Sequence, residues 1–305
     1  MRVLVIGGNG FIGSHLTDFL VSQGQSVRVY SRSYNQYIKK TDEDVEYIYG
    51  EFTDDSLLNS ALQDIEIVYQ LISTTVPSTS NKNPKEDIAS NVISTIKLLE
   101  NCVNASVKKV IFPSSGGTIY GSPQKLPISE DDLTNPICSY GITKLAIEKY
   151  LYLFNYLYGL DYSILRISNP YGPRQNPMGN VGVITVFLNH ILNKRAIQIW
   201  GDGEIVRDYI YISDVVQALY YAQTSNSSQK LFNIGSGQGV SLNQLISKIR
   251  QTLNKDFEVE YMEGRKVDIP VNVLDINTAK KILEWQPTID LEVGIQKTWQ
   301  WLQTL

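Results

Sequence analysis

The sequence predicts an α/β protein with a doubly wound parallel sheet and a smaller α/β domain, and three observations lead to this fold class. Short runs of β-branched and aliphatic residues alternate with segments of helical periodicity. The first run, residues 3–6, leads directly into a glycine cluster. Apolar residues then recur at helical spacing from Phe11 to Leu20. Strand, tight turn and helix in this order open a nucleotide-binding unit, so we expect a Rossmann-type sheet.

Composition and charge exclude several classes of protein. Of the 305 residues, 43% are hydrophobic and 19% charged, as in ordinary globular proteins, and the formal net charge of -4 argues against a nucleic-acid partner. No apolar stretch approaches the roughly 20 residues that span a bilayer, and the N-terminus lacks a signal-peptide pattern. We therefore expect a cytoplasmic protein with no membrane partner. The two cysteines and two histidines have no metal-ligand spacing, so we expect no metal site.

Three glycines follow the first strand at a spacing that suits a bound pyrophosphate. Gly7 permits a sharp turn, Gly10 lets the backbone approach a phosphate, and Gly13 lets the helix lie against the strand. The helix N-terminus, with Phe11 and Ile12, then presents unpaired N–H groups and a partial positive charge. These five residues are predicted to bind a dinucleotide cofactor.

The second strand, residues 26–30, ends at Ser31 and Arg32. An acidic residue at this place would accept hydrogen bonds from the adenosine ribose, whereas an arginine can pair with a 2′-phosphate. NAD and NADP are therefore both open as the cofactor. The third strand ends at Glu51 and Phe52, which we expect beside the adenine.

Polar residues follow the next two strands, at the sheet edge where ligands bind in open α/β sheets. We assign Leu71 and Ser73 to the cofactor and Thr75 to the substrate. Asn91, on the following helix, is a further cofactor candidate because its amide can bond a neighbouring loop. The fifth strand ends at Ser114, another cofactor candidate, and continues into small hydroxyl residues over which a sugar could sit.

Tyr140 and Lys144 are the candidate catalytic pair. Residues four apart on a helix share a face, and an ammonium near a phenol favours the phenolate. We therefore expect Lys144 to lower the pKa of Tyr140 from about 10 toward neutrality, which would let the tyrosine act as a general base or acid.

The remaining pattern completes the two predicted domains. Further strands are predicted at residues 45–50, 65–72, 109–113, 162–167, 196–200 and 231–234. Helices after the first are predicted at residues 56–63, 87–103, 139–158, 180–192, 215–222, 242–253, 278–283 and 292–302. Residues 1–168 would form the dinucleotide-binding domain, to which 206–235 return, and 169–305 the substrate-binding domain.

Several motifs together resemble those of the extended short-chain dehydrogenases and reductases, in particular the NAD-dependent nucleotide-sugar epimerases and dehydratases. Besides the glycine turn and the Tyr140, Lys144 pair, the resemblance rests on residues 114–121, 166–174 and 200–210. It covers nearly the whole chain and implies a hydride shuttle. Tyrosinate would remove a proton from a sugar hydroxyl while carbon 4 gives hydride to the nicotinamide, and Lys144 would also hold the nicotinamide ribose.

The resemblance also implies residues that bind the nucleotide-sugar substrate. Asn169 would touch the sugar diphosphate, and the strand with Gln198 would lie against the base. Arg207 and Arg265 would pair with diphosphate oxygens, since a guanidinium makes paired bonds to phosphate. Asp268 would lie near the nucleotide ribose.

Two positions depart from the pattern of the family. Gly116 stands where related enzymes usually carry the active-site Ser or Thr, so the hydroxyl must come from Thr118 or Ser115. Ser31 and Arg32 stand where many epimerases have an acidic residue, which keeps NADP possible.

These features give a leading hypothesis and alternatives. The first is a nucleotide-sugar 4-epimerase, for a UDP-hexose or UDP-N-acetylhexosamine, with NAD bound. The alternative is an NADPH-dependent 4-ketoreductase of a nucleotide-linked 4-keto-6-deoxysugar. A dehydratase fits less well because residues 116–118 replace the expected acidic pair, and a non-catalytic redox sensor would not require Tyr140 and Lys144.

A homodimer is also expected. The family pairs two helices, here residues 87–103 and 140–158, in a four-helix bundle. The second of these carries more aromatic side chains than one core-facing stripe needs. They are Tyr150, Tyr152, Phe154, Tyr156 and Tyr158.

Overall fold

The computed structural model describes residues 1–34, 45–179, 181–264 and 269–305. Its centre is a parallel sheet of seven strands in the order β10, β6, β5, β4, β1, β2, β3. The strands of this sheet are β1 (Arg2–Ile6), β2 (Ser26–Ser31), β3 (Val45–Tyr49), β4 (Ile67–Gln70), β5 (Lys109–Ser115), β6 (Asp161–Ile167) and β10 (Leu231–Ile234). The strands are added outward from β1, first toward β3 on one side and then from β4 toward β10 on the other, as in other doubly wound sheets. The predicted fold class is therefore confirmed.

Helices cover both faces of the sheet. Their bounds are α1 (Phe11–Ser22), α2 (Asp55–Ala61), α3 (Pro77–Ser80), α4 (Pro84–Asp87), α5 (Ser94–Asn104), α6 (Ser139–Tyr158), α7 (Val183–Leu192), α8 (Ile212–Thr224), α9 (Leu242–Leu253), α10 (Asn277–Ile282) and α11 (Leu291–Leu302). Side chains of a strand alternate between faces, so Val3 and Val5 enter one hydrophobic core while Leu4 and Ile6 enter the other. Burial on both faces explains why β1 is an unbroken apolar run.

The C-terminal part adds two smaller sheets. β9 (Val206–Tyr211) pairs with β7 (Asn169–Tyr171), β11 (Gly239–Ser241) and β13 (Val271–Asn272), and β8 (Ile197–Trp200) pairs with β12 (Val259–Met262). Within residues 206–235, β9 therefore lies in a small sheet while β10 lies in the large one. The domain division made from the sequence stays a prediction.

One predicted helix is built differently from expectation. Residues 87–103 were expected to be a single α-helix, but α4 and α5 are joined by a π-helical segment, Ile88–Ile93. The apolar spacing gives no sign of this turn, because Ile88, Val92 and Ile96 continue at helical intervals through it. None of the helices in the described ranges is long and apolar enough to cross a bilayer.

His15 ties α1 to the loop after β7 and gives the protein a pH-dependent stability. Its Nε2 donates to the Pro173 carbonyl at 2.9 Å, and burial lowers the pKa of His15 from 6.5 to about 4, with a smaller effect of Arg174. Between pH 6.5 and about 4, His15 is protonated in the unfolded chain but stays neutral in the folded protein. We expect the free energy of unfolding to fall by at most roughly 3 kcal/mol as the pH drops from the unfolded to the folded pKa. Urea unfolding across this range should show a shallower dependence for His15→Gln, and equal slopes would contradict the assignment.

Candidate active site

The glycine turn between β1 and α1 is shaped for close approach of a ligand. Gly7 has φ +88° and accepts a hydrogen bond from the Gly10 N–H at 2.9 Å. A Cβ on Gly13 would lie 2.2 Å from the Gly7 oxygen, and one on Gly8 would lie 2.7 Å from Val29. None of the described side chains caps the N-terminus of α1, and its first turn has no acidic residue. Its N–H groups therefore suit an anion such as a pyrophosphate.

The second strand end is connected to this turn. Ser31 is buried, and its hydroxyl accepts a hydrogen bond from the Asn9 N–H at 3.0 Å. Arg32 is exposed and, with Ser33, Tyr34 and Tyr49, lines a cavity of about 630 Å³. This cavity lies where the sequence places the adenosine. Ser31 therefore shapes the turn, and Arg32 faces the cavity.

The next two predicted adenine contacts lie in different surroundings. Phe52 is buried in the hydrophobic core beside Leu58. Glu51 is exposed, and its carbonyl accepts a hydrogen bond from the Tyr30 hydroxyl at 2.7 Å. In the described residues, Glu51 is thus the more accessible of the two.

The loop after β4 is held by the helix segment that follows it. Leu71 is half-buried and Ser73 exposed. The Asn91 Oδ1 accepts a hydrogen bond from the Thr74 N–H at 3.0 Å, and the Thr75 hydroxyl donates to Asp87 Oδ1 at 2.6 Å. Asn91 therefore bonds the neighbouring loop, as the sequence indicated. Asp87 was not predicted, because nothing in the pattern marks it as buried.

Hydroxyl groups collect at the end of β5. Ser114 and Thr118 have buried hydroxyl oxygens without a hydrogen-bond partner among the described residues, and Ser115 is half-buried. The Thr118 backbone lies against α6, since a Cβ on Gly141 would be 3.0 Å from its carbonyl oxygen. Thr118 therefore offers an unpaired hydroxyl next to the helix that carries Tyr140.

The surroundings of Gly116 explain why glycine stands where related enzymes usually carry Ser or Thr. A Cβ at this position would lie 2.5 Å from Leu274 Cδ1, so the space of a side chain is already filled. The Gly116 carbonyl accepts a hydrogen bond from Asn272 Nδ2 at 3.0 Å. A C-terminal segment thus packs over the end of β5, and a serine or threonine at position 116 would force the Leu274 side chain to move.

Lys144 lies beneath Tyr140 on α6, one turn along the helix. Lys144 is buried, its Nζ donates to the Pro113 carbonyl at 3.0 Å, and it lies 4.5 Å from the Phe112 ring centroid and 5.7 Å from that of Tyr140. The lysine therefore joins the end of β5 to the start of α6.

The prediction that Lys144 lowers the pKa of Tyr140 is wrong: in the structure this pKa is raised. Burial raises the pKa of Tyr140 above its usual value, with smaller contributions from Cys138 and Asp87. Burial also lowers the pKa of Lys144 to about 8, against the opposing effects of Glu148 and Asp87. Loss of hydration outweighs the attraction between phenolate and ammonium, because the ammonium is directed to a carbonyl.

A buried ion pair supports α6 and was missed by sequence reasoning. Glu148 accepts two hydrogen bonds from Arg166, at 3.1 and 2.7 Å, and both side chains are only 4% exposed. The guanidinium also stacks 4.8 Å from the Tyr120 ring centroid. An arginine inside an otherwise apolar strand was the available signal. The pair fixes α6 to β6 one turn beyond Lys144.

Besides Thr75 and Thr118, five residues were predicted to bind the substrate, and two of these, Asn169 and Arg207, lie at β9. The Asn169 amide donates to the Asp208 carbonyl at 2.9 Å. Arg207 is half-buried, and its Nη1 donates to the carbonyls of Val206 and Ile269 at 2.9 and 2.7 Å. Gln198 is exposed on β8. The other two predicted contacts, Arg265 and Asp268, lie outside the described residues.

Proteins of known family resemble this chain over nearly its whole length. Residues 3–235 match the NAD-dependent epimerase/dehydratase family. A UDP-glucose 4-epimerase of Mycolicibacterium smegmatis is 35% identical, over 98% of this chain and 97% of its own length. A dTDP-4-dehydro-6-deoxyglucose reductase of Escherichia coli is 37% identical, over 97% and 95%. The crystal structure of a UDP-glucose 4-epimerase from Thermotoga maritima with UDP-glucose has a TM-score of 0.95 and 36% identity, over 100% of this chain and 99% of that one. The glycine turn, the strand-end hydroxyls and the tyrosine–lysine pair all fall within the matched residues, and the chain belongs to the NAD-dependent epimerase/dehydratase family.

Proposed function

We propose that the protein is a nucleotide-sugar 4-epimerase that uses bound NAD and acts on a UDP-hexose or UDP-N-acetylhexosamine. The observation that carries this proposal is that Thr118, with an unpaired hydroxyl among the described residues, lies against the helix that bears Tyr140 and Lys144. The same chain has a glycine turn after the first strand of a doubly wound sheet. The epimerase relatives, which match essentially the full chain, support the same activity. A place in polysaccharide biosynthesis in the cytoplasm is part of the proposal.

The residues present fit NAD. Gly13 lets α1 pack directly on the Gly7 carbonyl, and the N-terminus of α1 has no side-chain cap and no acidic residue in its first turn, which suits a pyrophosphate. The buried Ser114 hydroxyl lacks a partner among the described residues. When bound, NAD would supply the hydride acceptor for sugar carbon 4 and, once reduced, the donor for its return to the opposite face of the sugar. The glycine turn would hold the pyrophosphate, and Lys144 would hold the nicotinamide ribose.

Proton transfer is the task of the protein's own groups. Tyr140 would take the proton of the sugar 4-hydroxyl and return it after the keto sugar has turned over. The ammonium of Lys144, 5.7 Å from the Tyr140 ring centroid, would offset only part of the cost that burial imposes on the phenolate. The unpaired Thr118 hydroxyl would hydrogen-bond the same sugar oxygen, a contribution suited to general acid–base catalysis. Ser115 is the second candidate for that hydroxyl. Asn169, Gln198, Arg207, Arg265, Asp268 and Thr75 are proposed to bind the sugar nucleotide.

Purified protein tests the assignment. We expect interconversion of UDP-glucose and UDP-galactose, or of their N-acetyl forms, without net consumption of cofactor. The 4-ketoreductase is the second candidate, favoured by the 37% identical reductase and by Arg32 at the adenosine cavity. A fall in NADPH absorbance in proportion to added keto sugar, with no epimerisation, would establish the reductase instead.

Gly13→Ala should remove the cofactor from the protein. The added methyl group would meet the Gly7 carbonyl at 2.2 Å, so the turn must move from the pyrophosphate. We expect at least a roughly tenfold lower NAD content after purification, measured on the denatured protein by chromatography. Gly24→Ala, at φ +72° but with nothing within 4 Å of its Cβ, is the control for backbone strain and should retain NAD. Equal NAD content in both variants would contradict the role of the turn.

A homodimer through a four-helix bundle is also proposed. Side chains of Ile93, Tyr152, Tyr156 and Leu157 are exposed by 48, 61, 76 and 54%, which leaves an apolar surface on α6 and beside α5. Association of these helices with those of a second copy would bury that surface. Sedimentation equilibrium of the purified protein tests this, and a monomer at micromolar concentration would contradict it.

A further inference from the structure

Asp87 is a buried carboxylate to which the proposed reaction assigns no task. It has no exposed surface and lies where α4 passes into the π-helical segment. Its Oδ1 accepts hydrogen bonds from the Thr75 hydroxyl at 2.6 Å and from Asn91 Nδ2 at 2.9 Å. Its Oδ2 accepts one from the Ser139 hydroxyl at 2.6 Å. One carboxylate therefore joins the loop after β4, the π-helical segment and the start of α6.

The π-helical segment contributes to the same junction. Asn91 Nδ2 also donates to the Asp87 carbonyl at 3.0 Å, and Asn91 Oδ1 accepts from the Thr74 N–H at 3.0 Å. Segments of π-helix are rare and occur frequently at functional sites. Here the segment lets Asp87 and Asn91 hold two adjacent residues of the same loop.

We propose that Asp87 is a positioning residue for Tyr140. Ser139 is the first residue of α6 and directly precedes Tyr140, and its N–H donates to Asn81 Oδ1 at 2.8 Å. A buried carboxylate is stable only when hydrogen-bonded, and bonds to a charged acceptor are stronger than neutral ones. Asp87 thus fixes the first turn of α6 against the loop with Thr75. This contact would hold the Tyr140 hydroxyl at the distance from the sugar 4-hydroxyl that proton transfer needs. This inference rests on the proposed role of Tyr140.

The test compares Asp87→Ala with Asp214→Ala, a matched control. Asp214 also has no exposed surface, and it accepts hydrogen bonds from the Thr288 hydroxyl at 2.8 Å and the Ile289 N–H at 3.1 Å, outside the catalytic machinery. At equal folded fraction, Asp87→Ala should lower kcat roughly 10–100-fold, as expected for a misplaced catalytic group. Its effect on KM, through the lost bond to Thr75, should be smaller than its effect on kcat. Asp214→Ala should lose stability but keep kcat within about threefold. Asp87→Asn, which keeps the shape and can bond the same hydroxyls, should recover most of kcat.

The outcomes separate this inference from the proposed function. If Asp87→Ala does not fold, Ser139→Ala carries the test and should lower kcat roughly threefold to tenfold. Unchanged kcat in Asp87→Ala or, where that variant does not fold, in Ser139→Ala would overturn the positioning role, as would an equal loss in Asp214→Ala. Wild-type epimerisation would still support the function. Wild-type protein active only as a ketoreductase overturns the epimerase proposal, and the same kcat ratios then decide the role of Asp87 in that assay. Wild-type protein inactive in both overturns both proposals.

Discussion

Tyr140→Phe should abolish turnover while NAD stays bound and the fold persists. The substitution removes only the hydroxyl that would exchange a proton with the sugar, and the ring keeps its contacts at the start of α6. General acid–base groups contribute roughly 10²–10⁴-fold, so we expect kcat to fall by about a thousandfold. Cofactor content and the midpoint of thermal unfolding, measured on the same preparation, should match those of the wild type.

A second tyrosine serves as the control. Tyr221, on α8, is 38% exposed and outside the proposed site, so Tyr221→Phe should leave kcat unchanged. The ratio of kcat between Tyr221→Phe and Tyr140→Phe measures the contribution of the Tyr140 hydroxyl. If Tyr140→Phe turns over within about tenfold of the wild type, another group transfers the proton and the proposed mechanism is wrong.

Arg166→Met should be the most destabilising of the single substitutions considered. It leaves the Glu148 carboxylate, 4% exposed, without its partner in a poorly hydrated environment. Breaking a buried ion pair in this way costs about 3–5 kcal/mol, because the remaining charge loses hydration without compensation. Urea unfolding followed by circular dichroism measures the change.

Two further variants make this prediction specific. The double variant Glu148→Leu, Arg166→Met removes both charges and should recover most of the lost stability. Arg174→Met breaks a 2.6 Å pair with Asp18 whose side chains are 21% and 39% exposed, and should cost less than about 1 kcal/mol. A double variant as unstable as Arg166→Met would mean that the arginine acts through packing on Tyr120 rather than through its charge.

The sequence predicted most of what depends on neighbouring residues. The glycine turn, the strand that precedes it and the helical spacing of Tyr140 and Lys144 are local patterns, and the parallel sheet follows from their repetition. The π-helical segment could not be predicted, because Ile88, Val92 and Ile96 keep α-helical spacing in the sequence. In the structure the segment leaves Ile88 45% exposed and buries Asp87 and Asn91 instead.

Features that depend on distant contacts were not predictable. The place of Arg166 within the apolar run of β6 signals burial but does not name its partner. Asp87 and Glu148 resemble surface residues in the sequence, and the packing of α6 against its neighbours buries them. The raised pKa of Tyr140 has the same origin, since hydration is lost through contacts that a helical spacing does not describe. The reason for glycine at position 116 lies in Leu274, far along the chain.

The hydrogen bond between Asn272 and Gly116 joins residues 156 positions apart. It bears on the order in which parts of the active site form during synthesis. During synthesis, β1 to β6 are complete well before the segment that covers the end of β5 has left the ribosome. The end of β5 therefore gains its final support only after the C-terminal part has been added.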